Sequence, residues 1–169
     1  AGGPEKCALA VDRFGFDACV DHRAHETAST LRKAIAAHCP DGVDIYFENV
    51  GGKVLEAVFP LLNTHARIPI CGMISWYNTG GLGANAPSGG LTVPALWSAA
   101  LVKFMSINGF IISNHWDRLP TCLAEGGPQE ARGDIAYRDD ITRGLENAPD
   151  AFIGLLEGRN TGKQLVKIA

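Results

Sequence analysis

Apolar residues recur along this chain in two alternating rhythms, and the alternation predicts its elements. One is the three-to-four-residue spacing of a helix with a single buried face. The other is a short, nearly continuous apolar run bounded by Gly, Pro, Asn or Asp, as in a strand covered on both sides. Helical spacing runs from residue 4 to 14 through Cys7, Leu9, Ala10 and Phe14, with Pro4 suited to a first turn and Gly15 to a stop. "FDACVDH" (16–22) follows as a short strand. Residues 26–39 return to helical spacing, with Ala28, Leu31 and Ile35 sharing a face and Arg32 and Lys33 turned away. Pro40, Asp41 and Gly42 are turn chemistry and deliver "DIYFENVGG" (44–52) as a strand that ends on a polar pair and two glycines.

A helix is expected over 53–62, then "RIPICGMI" (67–74) as a strand in which Pro69 calls for an edge position or a local bend. Residues 75–93 read as loop, and a helix over 94–105 leads to the strand "INGFIIS" (107–113). The repeated β-α-β order with short linkers calls for a mainly parallel sheet with helices on both faces, an α/β fold. The last third changes character. Residues 114–133 are poorly patterned, with "EGGPQEARG" read as loop or frayed helix, and "IAYRDDI" (135–141) as a strand. Asn147 is expected to cap a helix that holds Pro149 in its first turn and closes at Gly158, and "KQLVKI" (163–168) makes a final strand.

Composition narrows the class. With 169 residues, 46% hydrophobic and 20% charged, the chain has enough apolar material for one domain with a real core. A net charge of −3 offers no basic face for nucleic acid, and no apolar run is long enough to span a membrane. The five cysteines, Cys7, Cys19, Cys39, Cys71 and Cys122, make no C-x-x-C pair, so neither a zinc site nor a disulfide framework is expected, and a reducing cytoplasm is the simpler setting. The five histidines, His22, His25, His38, His65 and His115, show no metal-ligand spacing. Ser75 and Ser88 lack the elbow that acyl transfer needs.

Chemistry concentrates at strand ends. In parallel α/β sheets ligands bind beyond the carboxyl ends of the strands, where glycine lets backbone or ligand approach closely. "ENVGG" (48–52) and "CGMISWY" (71–77) share that design. Asn49 is then either a site residue or a turn residue, and Trp76 and Tyr77 either line a site or cover apolar surface. Gly2 to Lys6 is a glycine turn opening a helix with a lysine in its first turn, either an anion site or a plain surface loop. The G-x-G-x-x-A spacing at 81–86 lies too far past its strand, and too close to Pro87, for a tight phosphate loop.

The segments "GVDIYFENVGG", "ARIPICGMIS", "GFII" and "GLENAPDAFIGLLEG" together resemble the zinc-independent, NADP-dependent oxidoreductases of the medium-chain dehydrogenase/reductase superfamily, in the leukotriene B4 12-hydroxydehydrogenase, prostaglandin reductase and curcumin reductase branch. The resemblance runs over nearly the whole chain and is weakest at 114–133. It implies a partial Rossmann domain over 1–118 and a segment over 119–169 that returns to a GroES-like catalytic domain. The GroES-like domain and the first glycine-rich βαβ loop would precede Ala1, so the chain reads as part of something longer.

Carried over residue by residue, the resemblance puts Lys6 on the adenosine 2′-phosphate of NADPH. His22 stands where the family's second phosphate contact is a tyrosine. Asn49 would sit beside the cofactor. Cys71, Gly72, Met73, Ile74, Ser75, Trp76 and Tyr77 would line its nicotinamide half, Phe110, Ile111 and Ile112 would flank the ring, and Asn160 would close over it. The implied reaction is hydride transfer to the β-carbon of an enone or enal, with Tyr77 as the candidate donor to the growing enolate oxygen. A homodimer is expected through the edge strand at 107–113, which is apolar and free of proline. Two rivals stand beside this reading: methyl transfer, which "FENVGG" faintly echoes, and an inert fragment or dinucleotide-binding module without catalysis.

Overall fold

A computed structural model describes residues 1–79 and 92–168, with the side chains of residues 78 and 79 left aside. The expected loop match at 81–86 and Ser88 lie outside the described residues. The chain divides into two compact units, one of Ala1–Asp21 with Arg118–Ala169 and the other of His22–Asp117.

The His22–Asp117 unit holds helix α2 (Ala28–His38), strand β1 (Val43–Ile45), helix α3 (Gly52–Val58), strand β2 (Leu62–Ile70), helix α4 (Val93–Val102) and strand β3 (Ser106–Gly109). The strands form one parallel sheet in the order β1-β2-β3, as the β-α-β alternation predicts. Thr27 caps α2 by accepting from the Thr30 N–H, while the Thr30 hydroxyl answers at the Thr27 N–H, a reciprocal pair that satisfies orphan donors of the first turn. Val58, Phe59, Leu62, Ala66 and Ile68 are buried together, with Ile35, Val54, Leu96 and Met105 packed around them. That core draws residues from α2, α3, α4 and β2, so it fixes where the strand ends lie.

Several expectations within residues 1–118 need correction. Residues 16–22 form no strand. The Val20 carbonyl accepts from the Ala1 nitrogen at 2.8 Å and the Gly3 N–H donates to Asp21 Oδ1 at 2.8 Å, and no strand among the described residues pairs with the segment. The strand expected over 67–74 runs instead over Leu62–Ile70, and Pro69 sits in the central strand rather than at an edge. The pairing with β1 accommodates it. The Arg67 carbonyl accepts from the Tyr46 N–H at 3.0 Å and the Pro69 carbonyl from the Glu48 N–H at 2.9 Å, so the donor that proline lacks faces β1. There the ladder breaks and resumes as a single Glu48–Ile70 bridge. Strand β3 stops at Gly109, four residues short of the expected end, and Ile112–Arg118 coils into 3₁₀ turns.

The other unit holds helix α1 (Pro4–Asp12), helix α5 (Leu119–Ala131), strand β4 (Asp139–Arg143), helix α6 (Ala148–Glu157) and strand β5 (Lys163–Lys167). Strands β4 and β5 pair in parallel with Asp139 opposite Lys163 and Arg143 opposite Lys167, and α6 makes the crossover. Helix α5 covers most of the poorly patterned stretch 114–133, and of the two readings of "EGGPQEARG", loop or frayed helix, the helix holds as far as Ala131; almost every residue in it is exposed, so it carries no buried face to print a period on the sequence. Gly158 closes α6 in the left-handed region at φ 70°, as expected. Asn147 does not cap the helix with its side chain; its φ of −92° and ψ of −1° are helical, and Nδ2 donates back to the Arg143 carbonyl at 2.8 Å.

Candidate functional site

The first strand end is built around Glu48, which is only 2% exposed. Its Oε1 accepts from the Val50 N–H at 2.6 Å and the Gly51 N–H at 2.9 Å, and its Oε2 accepts from the Tyr46 hydroxyl at 3.0 Å. The carboxylate therefore folds over its own turn and satisfies donors at the start of α3. Burial, and then the negative charge of Glu48, push the Tyr46 phenol well up. This role for Glu48 was not expected. The available signal was a lone acid between an apolar strand and a Gly-Gly step.

The second strand end docks on the first. The Glu48 carbonyl accepts from the Cys71 N–H at 2.9 Å and the Gly72 N–H at 3.1 Å, while the Asn49 and Val50 carbonyls accept from Ile74 and Ser75, each at 3.0 Å. Gly51, at φ 73°, explains the first glycine of the pair. A Cβ there would stand 3.1 Å from Ser75 Oγ and 3.4 Å from Met73 Cε, so only glycine both takes the turn and leaves room for the neighbouring segment. A Cβ on Gly72 would lie 3.8 Å from Asn49 Oδ1 and 4.0 Å from the Tyr77 hydroxyl. Asn49, Gly72 and Tyr77 thus come together at the junction of the two strand ends, and Tyr77 is 50% exposed there.

A cleft of about 420 Å³ opens beside this junction, lined by Ile70, Cys71, Gly72, Met73, Gly109, Phe110, Ile111 and Asn114. Five of these, Cys71, Gly72, Met73, Phe110 and Ile111, are residues singled out from the sequence. Asn114 was not, because it follows the expected strand in a stretch with no pattern. The Phe110 ring lies 6.0 Å edge-to-face from Phe47 and 6.1 Å from His115. Ile112 is exposed and opens the 3₁₀ segment beyond the cleft.

The remaining candidates lie elsewhere. The His22 carbonyl, with that of His25, accepts from Lys53 Nζ, at 2.9 and 2.5 Å, so Lys53 of α3 ties down the segment carrying His22. Lys6 and Asn160 belong to the other unit. Lys6 Nζ donates to the Gly158 carbonyl at 2.7 Å, at the C-terminal end of α6 where a cation suits the helix dipole. Asn160 Nδ2 donates to the Gly162 carbonyl at 2.8 Å. The turn that carries it is held by Asp140, which accepts from the N–H groups of Thr161 and Gly162 at 2.5 and 3.0 Å. Those backbone bonds, Gly162 first, hold the Asp140 carboxyl below its usual range.

Among the described residues no three His, Cys, Asp or Glu side chains gather as a metal ion requires. The cleft does fit a planar organic group. It is largely apolar and bounded by glycines, with the Asn114 amide in its lining and the Asn49 amide and Tyr77 hydroxyl close by.

Parallel strands whose ends meet over glycines beside such a cleft define an α/β protein of the class that binds its ligand at the carboxyl edge of the sheet. The chain belongs to the zinc-binding dehydrogenase family, whose model matches residues 1–125. It is 48% identical over 170 residues to the NADPH-dependent curcumin reductase of Escherichia coli K12, covering 100% of this chain and 47% of that protein. It is 37% identical to the NADP(+)-dependent 2-alkenal reductase of Nicotiana tabacum, of which it covers 46%. The crystal structure of CurA from Vibrio vulnificus in complex with NADPH superposes with a TM-score of 0.88 at 48% identity, over 100% of this chain and 48% of that one. The likeness to curcumin reductases expected from the sequence is borne out, and the chain spans about half the length of the curated relatives it matches.

Proposed function

We propose that the protein reduces the carbon–carbon double bond of α,β-unsaturated ketones and aldehydes, using NADPH and no metal. The observation that carries this reading is the meeting of Asn49 and the Tyr77 hydroxyl over Gly72, beside an apolar cleft at the ends of two parallel strands. The NADPH complex of the Vibrio vulnificus relative and the activities named for the E. coli and N. tabacum relatives support the cofactor and the substrate class. NADPH, when bound, supplies the hydride.

Each group of the chain then has a task. Gly72 admits a flat ring close to the backbone, with Cys71, Met73, Ile74, Ser75 and Trp76 around it. Phe110, Ile111 and Ile112 form the apolar wall that keeps water away from the reacting carbon. Asn49 orients the cofactor at the strand junction. Tyr77 donates a hydrogen bond to the substrate carbonyl oxygen, where negative charge grows as the β-carbon is attacked. A proton then reaches the α-carbon. By the family resemblance, Lys6 contacts the 2′-phosphate, His22 takes the place of the family's tyrosine contact to it, and Asn160 contacts the nicotinamide half of the cofactor. Residues 1–118 serve the nucleotide and 119–169 return to the substrate-binding part of the whole protein.

Strand β3 lies at the sheet edge without a proline, which supports a homodimer through residues 107–113. No described helix is long and apolar enough to cross a membrane. The five free cysteines support a reducing cytoplasm.

The test is Tyr77→Phe in the whole protein, read by single-turnover oxidation of NADPH with a simple enone. Loss of an oxyanion donor lowers that rate by about 10- to 1000-fold. A rate within about twofold of wild type at saturating enone removes Tyr77 from the chemistry.

A further inference from the structure

Cys7 and Cys19 take no part in the proposed reaction, yet their sulfurs lie 3.1 Å apart. They come from different local structures, Cys7 from α1 and Cys19 from the extended segment before Asp21. That segment is anchored independently of the thiols by the Gly3 N–H bond to Asp21 Oδ1 at 2.8 Å. Both cysteines are free and partly buried. A disulfide bond is about 2.05 Å long, so the sulfurs need to close by only about 1 Å. Two thiols preset at that separation are unlike Cys71 and Cys122, which are exposed and stand alone in sequence.

We propose that Cys7 and Cys19 are a modification site, a dithiol that closes reversibly to a disulfide by exchange with a small disulfide such as oxidised glutathione. In the first step a Cys19 thiolate attacks one glutathione sulfur. A protein–glutathione bond forms, the glutathione S–S bond breaks, and one glutathione thiolate leaves. In the second step the Cys7 thiolate attacks Cys19 Sγ, forming the intramolecular bond and releasing the second glutathione thiolate. The protein loses two protons and two electrons, and oxidised glutathione is reduced to two thiols. Burial and the Cys19 contact push the Cys7 thiol up, which suits it to the second, intramolecular step, where proximity compensates for a small thiolate fraction. Reversible closure of this kind is the form in which disulfides occur in a reducing compartment. The assignment does not depend on the cofactor.

The experiment titrates the whole protein with oxidised and reduced glutathione, quenches with acid and maps thiols by mass spectrometry. Arg13 separates the two cysteines, so trypsin leaves residues 7–13 and 14–23 joined only if the disulfide has formed. The expected product is this linked pair, two hydrogens lighter than its parts and released by dithiothreitol, while Cys71 and Cys122 carry glutathione. Intramolecular closure keeps the Cys19 adduct below about a tenth of the linked form. In Cys7→Ser, Cys19 should instead hold glutathione as a lasting adduct, and circular dichroism checks that the variant is folded. A lasting adduct on either cysteine of the wild type overturns the proposal. So do two unmodified thiols at a ratio where Cys71 and Cys122 have reacted fully.

Discussion

Removing the Glu48 carboxylate tests the strand junction most severely. The side chain satisfies three donors: the Val50 and Gly51 N–H groups and the Tyr46 hydroxyl. Gly51 is buried, so in Glu48→Ala its N–H is left without a partner, at about 1–3 kcal/mol. Val50 and Tyr46 are half-buried and regain some water, and together they add about 1–2 kcal/mol. The expected loss is about 2–5 kcal/mol, a large part of a small domain's stability. Glu48→Gln keeps a carbonyl oxygen for the two N–H groups and turns an amide toward Tyr46. It replaces charge-assisted bonds by neutral ones at about 1 kcal/mol each, partly offset by easier burial, for a loss of about 1–2 kcal/mol. Urea unfolding followed by far-ultraviolet circular dichroism measures both, with an unchanged denaturant slope confirming that the comparison is sound. Equal losses for Ala and Gln, or a loss below about 1 kcal/mol for Ala, would refute the account of this turn.

Three further outcomes are expected. Lys6→Ala in the whole protein weakens NADPH by about 1.5–3 kcal/mol and leaves NADH nearly unchanged, measured by fluorescence titration; because Lys6 also bonds the Gly158 carbonyl, equal loss for both cofactors would assign it to structure alone. The Asp140 carboxyl is held below its unfolded value, so its contribution to stability is complete above the unfolded pKa of about 4 and fades as pH falls through the folded one. The stability gap between wild type and Asp140→Asn is therefore widest near neutral pH and closes under acid, and a gap independent of pH would contradict the assignment. Light scattering of the whole protein at micromolar concentration should give a dimer mass, and a monomer would count against pairing through β3.

The elements with local punctuation were legible in the sequence. Pro4, Gly158 and the helical spacing of α2 each marked a boundary that tertiary contacts left in place. Strand lengths were not, because a strand lasts only as long as its partner. "INGFIIS" is apolar throughout, yet β3 stops at Gly109, where β2 stops opposite it at Ile70. The edge reading of Pro69 failed for a related reason, since its cost depends on which neighbour its missing donor faces. Helix α5 left only an ambiguous trace, loop or frayed helix, because it buries almost nothing. At the site, the paired strand ends and their glycines pointed to the junction, and Cys71, Gly72, Met73, Phe110 and Ile111 line one cleft. Glu48 and Lys53 went unrecognised because their partners are mostly backbone groups, two or three residues away for one and about thirty for the other.

Deuterium transfer tests the central claim most directly. The whole protein is given a simple enone and NADPH deuterated at its transferring position, and the product is examined by NMR. The account predicts a saturated ketone with deuterium at the β-carbon and a solvent proton at the α-carbon. Deuterium on the carbonyl carbon of an allylic alcohol would contradict it, because the hydride would then have been delivered to the carbonyl group and not to the double bond.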